Sequence, residues 1–321
     1  MTSIAERGRI AAPKSARDPR AARRARAHVW DRVMTGLLWA LASGIVVLLA
    51  YIVLYMLLKG LSVVSWQFIT TATGDNIAPQ VFNTFYIIGL ALLICVPLAM
   101  GTAIYLVEYA RQGPFVTVIR FATETLAGIP SIILGLFGFL IFVTAFGTGK
   151  PICLPGGALC YHGFGYSRIA GALTLVILNL PLLVRVSEDA LRGVPNELRE
   201  ASFAVGANKF QTVSQVMIPT ALPALTTGII LTAGKMIGET AALIFTTGTS
   251  SSVNGWFSLN PFTSGDTLTV HLYVLLAEGV AKNATQLANG TATLLIILLL
   301  MFNLGLRSLA GLLNRRLSGS R

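Results

Sequence analysis

Long apolar runs separated by short polar stretches set the plan of this chain. Six runs, at 37–58, 81–107, 121–147, 168–186, 219–248 and 291–313, approach or exceed the length of a bilayer crossing, which takes about 20 mainly apolar residues in a helix. The fourth, "RIAGALTLVILNLPLLVRV", is the weakest because it contains Asn179 and Pro181. A shorter run, "LTVHLYVLLAEGVA" (268–281), carries His271 and Glu278 and predicts an interfacial or packed helix outside the membrane. The expected fold class is all-α integral membrane, a polytopic bundle of about six transmembrane helices. Pro97, Pro130, Pro181 and Pro223 fall inside the runs. Membrane helices tolerate proline where neighbours satisfy the freed backbone, and small residues let helices approach closely. Both features suit a protein that changes shape and equally suit an ordinary compact bundle.

Composition agrees with the pattern. The chain is 54% hydrophobic and 12% charged, with mean hydropathy +0.73, whereas soluble domains carry about 25% charged residues. The first run is longer than the roughly 7–15-residue core of a cleavable signal, and no small-x-small cleavage site follows it. It is therefore expected to stay as the first span.

The net charge of +11 matters through its placement. Nine of the 24 Lys and Arg residues precede residue 37, in a stretch with few apolar positions. That predicts a disordered or surface-hugging basic tail; an arm for nucleic acid is the other reading of such a run, and no nucleic acid partner is expected. With the N-terminus inside, the inner segments (the tail, 108–120, 185–218 and 307–321) hold 19 of the 24 basic residues, leaving Lys59, Lys150, Arg168, Lys235 and Lys282. By the positive-inside rule both termini are cytoplasmic. The expected organisation is a tail over 1–36, a first span at 37–58, a core at 81–313 that contains a cytoplasmic segment at 187–219, and a cytoplasmic end at 314–321.

Three cysteines constrain little. Cys95 lies in an apolar run and reads as a small core residue. Cys153 and Cys160 share a Gly- and Pro-containing loop on the non-cytoplasmic side, where an oxidising compartment permits a disulfide between them.

The polar interruption "EASFAVGANKFQTVSQVMIP" (200–219) is longer than a plain connection between helices requires. Upstream, Pro195 suits a helix start, Glu197, Arg199 and Glu200 follow, and Leu198, Ala201, Phe203, Ala204 and Val205 form a short apolar surface. Gly206 then breaks the run and Pro219 marks the return to the membrane. So short a helix has too little core of its own to persist in water. It must pack in a partner's groove or lie on the membrane surface.

This stretch resembles the cytoplasmic signature of ABC importer permeases, E-A-A-x3-G-x9-I-x-L-P, through Glu200, Ala201, Ser202, Gly206, Val216, Ile218 and Pro219. Ser202, Val216 and Ile218 are conservative departures. The resemblance implies a type I importer permease fold. It also implies that this segment, with Ala207 beside the glycine, docks in a cleft of an ATPase subunit and passes on nucleotide-driven motion. From about residue 80 onward, "NTFYIIGLALLICVPLAMGTAIYLVEYA" (83–110), "TLAGIPSIILGLFGFLIFV" (125–143) and "GKMIGETAALIFTTG" (234–248) resemble the phosphate transport permeases of the PstA type. That resemblance implies a bacterial inner-membrane complex with a homologous second permease, two ATPase copies and an extracytoplasmic phosphate-binding protein. It implies no cofactor on this chain, ATP being used by the partner.

Charge inside the spans supplies the candidate substrate path. Lys235 and Glu239 lie within the fifth run, four residues apart and so on one helix face, and Arg185 lies near the inner end of the fourth. An ionised side chain within a membrane costs at least about 2.5–3.5 kcal/mol, so it faces a cavity or a partner charge. Lys235 and Glu239 form either a structural ion pair or a cation on a phosphate path with its balancing charge. Arg185 joins that path or snorkels as an inner-face anchor. The phosphate permeases usually carry a pattern resembling G-R-A-x-G-E-T-A-P here, and Lys235 and Ala242 are among this chain's departures from it.

No G-x-x-x-x-G-K-[ST], H-E-x-x-H or G-x-S-x-G occurs, and His28, His162 and His271 are far apart. No catalytic or metal constellation is expected, so ATP hydrolysis belongs to another subunit. The competing readings are a permease for sulfate, molybdate or another oxyanion, an ion-coupled secondary transporter with Lys235 and Glu239 as proton relays, and a membrane anchor for signalling.

Overall fold

A computed structural model describes residues 19–70, 77–111, 113–145, 152–153, 160–161, 163–249, 257–278 and 283–317. The first helix, α1 (Pro19–Gly60), has 42 residues and is about 63 Å long at 1.5 Å per residue. Of the disordered or surface-hugging tail expected over 1–36, residues 19–36 are helical, which corrects the first of the two readings there. Ala and Arg dominate "PRAARRARAHV" and favour helix, and the apolar helix that follows removes the cost of nucleation. Residues 1–18 lie outside the described residues. The chain divides into two units, Met1–Tyr55 and Met56–Arg321.

The second unit holds the remaining elements. After α2 (Trp66–Thr70) comes α3 (Ala78–Ile104), extended by a π-helical turn at Tyr105–Tyr109. Next are α4 (Pro114–Ala127) and α5 (Ser131–Gly138), the latter extended by a π-helical stretch at Phe139–Ala145. Two short strands, β1 (Ile152–Cys153) and β2 (Cys160–Tyr161), pair antiparallel with Cys153 opposite Cys160. Then follow α6 (Arg168–Arg192), α7 (Asn196–Ala204), and α8 (Lys209–Thr212), which leads through a π-helical turn at Val213–Met217 into α9 (Ile218–Ile237). The unit closes with α10 (Ala241–Ile244), α11 (Leu268–Glu278) and α12 (Ala284–Leu317).

The core is built on α3 against α6. Ile87, Ala91, Cys95, Ala99 and Ala103 recur every four residues on α3 and are fully buried, which places them on one stripe of the helix. Four of the five are small, so α6 approaches closely, and Ala172, Leu175, Leu183 and Met236 complete the packing. Cys95 is the core residue expected from its apolar run.

Five helices are long and apolar enough to cross a membrane among the described residues, and the pair α4 and α5, bent by 101°, makes a sixth if it counts as one. Contacts decide that it does. At one end Arg168, which opens α6, lies over the rings of Phe82 and Tyr86 near the start of α3. At the other end Arg199, just after α6, reaches Glu108, just after α3. The two helices thus run in the same direction, and the chain must return between them. It does so through α4 and α5: Arg120 on α4 meets Glu188 near the end of α6, while Phe164 and Gly165 hydrogen-bond to Phe142 and Val143 close to its start.

Two expected spans change shape. The run 121–147 is not one straight helix. It begins at Pro114 and breaks at Gly128–Pro130, because Pro130 has no N–H to donate and disfavours helical geometry at Ile129. The run 219–248 is broken as well: α9 ends at Ile237, where Gly238 caps it, and a single short turn of helix, α10, follows at Ala241–Ile244. The 268–281 run forms α11 over Leu268–Glu278, as its pattern predicts.

The end of the bundle where α3 and α6 begin is tied by buried polar groups. Gln80 donates to Asp266 Oδ2 at 3.2 Å, and Asn83 to the Asp266 carbonyl at 3.1 Å. Thr84 Oγ1 accepts from Leu268 N, and Thr269 donates to the Glu239 carbonyl. The first three bonds hold the start of α11 and the segment ahead of it against α3, and the fourth ties α11 to the end of α9.

Candidate functional site

The opposite end carries the polar segment singled out in the sequence. Gly193 ends α6 by donating to the Asp189 carbonyl at 3.0 Å, Val194 is buried, and Pro195 stands at the N-cap of α7. Nine residues later the helix closes in a Schellman arrangement. Gly206 N donates to the Phe203 carbonyl at 2.9 Å and Ala207 N to the Ser202 carbonyl at 3.2 Å. Gly206 has φ +86°, the left-handed conformation that this cap requires and that side chains with a Cβ resist.

The next helix starts at once. Asn208 Oδ1 accepts from Gln211 N at 2.8 Å while the Gln211 side chain accepts from Asn208 N at 2.9 Å, a reciprocal cap that satisfies two otherwise orphaned donors. Between the helices, the Ser202 and Thr212 hydroxyls are hydrogen-bonded at 2.9 Å and buried. Every bend between Gly193 and Thr212 thus has its own hydrogen bonds. The π-helical turn Val213–Met217 precedes Pro219, whose missing N–H interrupts the regular helical ladder there.

The apolar surface predicted for this segment faces outward. Leu198 and Phe203 are partly uncovered, and Val205 and Phe210 are 84% and 72% exposed. Glu200 and Ala201 are exposed as well, Ala207 is half-buried, and Pro219 is exposed. Of the signature residues on α7, only Ser202 turns inward.

Beside the segment lies a charged cleft of ≈ 260 Å³ between α4 and α6. The buried Glu188 carboxylate accepts from Arg120 Nε and Nη2 at 3.1 and 2.7 Å, and from Arg192 Nη2 at 2.6 Å. Arg185 also lines the cleft, and its pairing with Glu124 at 3.6 Å is open to solvent. Lys235 sits in the last turn of α9, where a cation complements the helix dipole. Its side chain is exposed in this chain. Glu239 lies past the helix end, so the expectation that it shares a helix face with Lys235 is corrected. Gly238 and Glu239 bond back to Lys235 and Met236 in the tighter i→i+3 pattern and leave the helical register. Among the described residues neither Lys235 nor Glu239 is in an ion pair.

Arg185 is thus beside the cleft near the end of α6, whereas Lys235 and Glu239 lie at the far end of α9; the predicted path residues do not form one cluster. Sequence reasoning missed Glu108, Arg120, Glu188 and Asp266. The i,i+4 spacing of Glu188 and Arg192 was a local signal for one pair; the others are joined only in the fold. The side chains of Cys153 and Cys160 lie outside the described residues.

This fold, an all-α membrane bundle with a capped helix pair projecting at one end, is that of an ABC importer permease. Residues 96–319 match the family described as binding-protein-dependent transport system inner membrane component, and the chain belongs to that family. It is 37% identical over 306 residues to the probable ABC transporter permease protein YqgI of Bacillus subtilis, covering 91% of this chain and 99% of that one. It is 39% identical over 173 residues to the phosphate transport system permease protein PstA 1 of Mycobacterium tuberculosis, covering 54% and 51% of the two. The PstA of Haemophilus influenzae is 30% identical over 67% of this chain and 68% of its own length. In fold the chain is similar to one from a bacterial alginate ABC transporter in complex with a periplasmic protein, with a TM-score of 0.66 at 12% identity over 90% of this chain and 98% of that one.

Proposed function

We propose that this chain is the permease subunit of an ATP-driven importer of inorganic phosphate. It lies in a bacterial inner membrane with both termini and the α7–α8 segment in the cytoplasm. The observation that carries the reading is the segment itself: a prebuilt elbow whose signature glycine sits at φ +86° and whose apolar residues are left uncovered. A surface so arranged suits a groove on an ATPase, with Glu200, Ala201, Ser202, Gly206, Ala207 and Pro219 shaping and bounding the contact. Two ATPase copies, a homologous second permease and an extracytoplasmic phosphate-binding protein complete the complex. The phosphate assignment is supported by the similarity to permeases named for phosphate transport.

Arg185 and Lys235 supply cations to the path, and Glu239 offsets charge near the second. Lysine serves phosphate as a point charge instead of a planar fork. Chemistry of this kind also suits sulfate or molybdate, so the test must compare anions.

The test is co-purification with the ATPase, then labelled uptake in reconstituted vesicles. Phosphate should enter at the expense of ATP, with sulfate and molybdate excluded. Lys235→Ala and Arg185→Gln should each abolish uptake while the complex still assembles. Uptake at wild-type rates in both variants, or uptake sustained by a proton gradient without ATP, would overturn the reading.

A further inference from the structure

The α7–α8 segment is joined to more than the two helices it connects. Arg199, three residues before the inward-turned Ser202 on α7, brings Nη1 to 2.9 Å from Glu108 Oε1. Both side chains are largely buried, at 20% and 11% exposure. The approach is off the hydrogen-bonding line and leaves Arg199 Nε without a hydrogen-bond partner among the described residues. The contact is therefore a close electrostatic one. The same guanidinium donates through Nη2 to the Leu191 carbonyl at 2.8 Å. From the other arm of the elbow, Lys209 Nζ donates to the Glu108 backbone carbonyl and lies 5.0 Å from the centroid of the Tyr109 ring.

One residue at the end of α3 thus receives a cation from each arm. Glu108 lies in the π-helical turn Tyr105–Tyr109, and such turns concentrate at functional positions in helices. Around this point Ala103, Leu191, Val194, Val213 and Met217 form a buried apolar cluster separate from the main core. The elbow, the ends of α3 and α6 and the start of α9 therefore share a small core of their own.

We propose that Glu108 is a positioning residue for transport: its ion pair with Arg199 carries displacement of the α7–α8 elbow into α3, and through α3 into the core packed on α6. This rests on the elbow being where a partner ATPase pushes. Without the pair, the links left between the elbow and α3 are the Lys209 bond to the Glu108 carbonyl and the small apolar cluster, beside the chain connections at Gly193–Pro195 and Val213–Met217. Packing against α3 would then lag behind the elbow. The role does not require Glu108 to touch either ATP or the transported anion.

The test uses the full reconstituted complex with Glu108→Gln, which keeps the backbone carbonyl for Lys209 and the side-chain shape. The readout is substrate moved per ATP hydrolysed, with ATPase co-purification measured alongside. The complex should assemble and hydrolyse ATP, and the transport-to-hydrolysis ratio should fall by about twofold to thirtyfold, the span for a coupling residue that touches no ligand. The exchanged pair, Glu108→Arg with Arg199→Glu, should recover at least half of the wild-type ratio, an effect that mere loss of packing does not produce. An unchanged ratio in Glu108→Gln overturns the proposal while leaving the docking role of the elbow intact. If Glu108→Gln does not accumulate, the exchanged pair decides: recovery supports the strut and no recovery overturns it. Failure of the wild-type chain to bind an ATPase removes both this inference and the function on which it rests.

Discussion

Gly206 shows how much can rest on one backbone angle. Its φ of +86° closes α7 and turns the chain toward Asn208. A Cβ built on it would meet nothing within 4 Å, so a larger residue is opposed by the backbone and not by crowding. The left-handed conformation costs a side-chain-bearing residue about 1–2 kcal/mol, enough to shift the elbow without unfolding a large protein. Gly206→Leu should therefore reach the membrane and permit ATP hydrolysis while uptake falls, as read by the two rates in the same vesicles. Normal transport in this variant would remove the elbow from the coupling role. The sequence shows that a glycine breaks the run here, but its sign of φ is a property of the turn on both sides of it.

At the scale of elements, the joint between α4 and α6 has one buried carboxylate. Glu188 is buried and accepts from both Arg120 and Arg192. Arg120 is one-third exposed and Arg192 nearly half, so water screens part of each interaction. Hydrogen bonds to charged groups are worth about 1.5–3 kcal/mol, and this screening favours the lower part of that range. Glu188→Gln should lower the thermal unfolding midpoint of the detergent-solubilised protein and loosen α4 from α6. An unchanged midpoint would mean that solvent replaces the carboxylate fully. Gly135 marks the complementary case, a contact made by absence of a side chain. A Cβ there would lie 2.7 Å from the Ala242 Cα, so α5 and α10 meet backbone to backbone.

For the whole molecule, the decisive feature is the direction of α3 and α6. Because both run toward the elbow, the bent α4–α5 pair must carry the chain back, and the C-terminal part of α12 then emerges at the elbow end. The end where α3, α6 and α12 begin is the non-cytoplasmic one in the proposed orientation. The β1–β2 register that sets Cys153 opposite Cys160 supports a disulfide there. Protein from membranes, alkylated without reductant, should show no adduct on either cysteine; adducts on both would remove the bond.

What the sequence determined by itself is what is local or set by solvent. Apolar runs of bilayer length, the clustering of basic residues and the contiguous signature at 200–219 each follow from the neighbours of a residue or from the cost of placing it in lipid. Pro130 and Gly238 are local marks of a break and a helix end, but the 101° between α4 and α5 was set by tertiary structure. It also decided the meetings of Glu108 with Arg199, Arg120 with Glu188 and Gln80 with Asp266. The last two pairs are 68 and 186 residues apart in the chain. Helical periodicity tells which face a residue occupies, but which other face comes to meet it depends on the packing of the whole bundle.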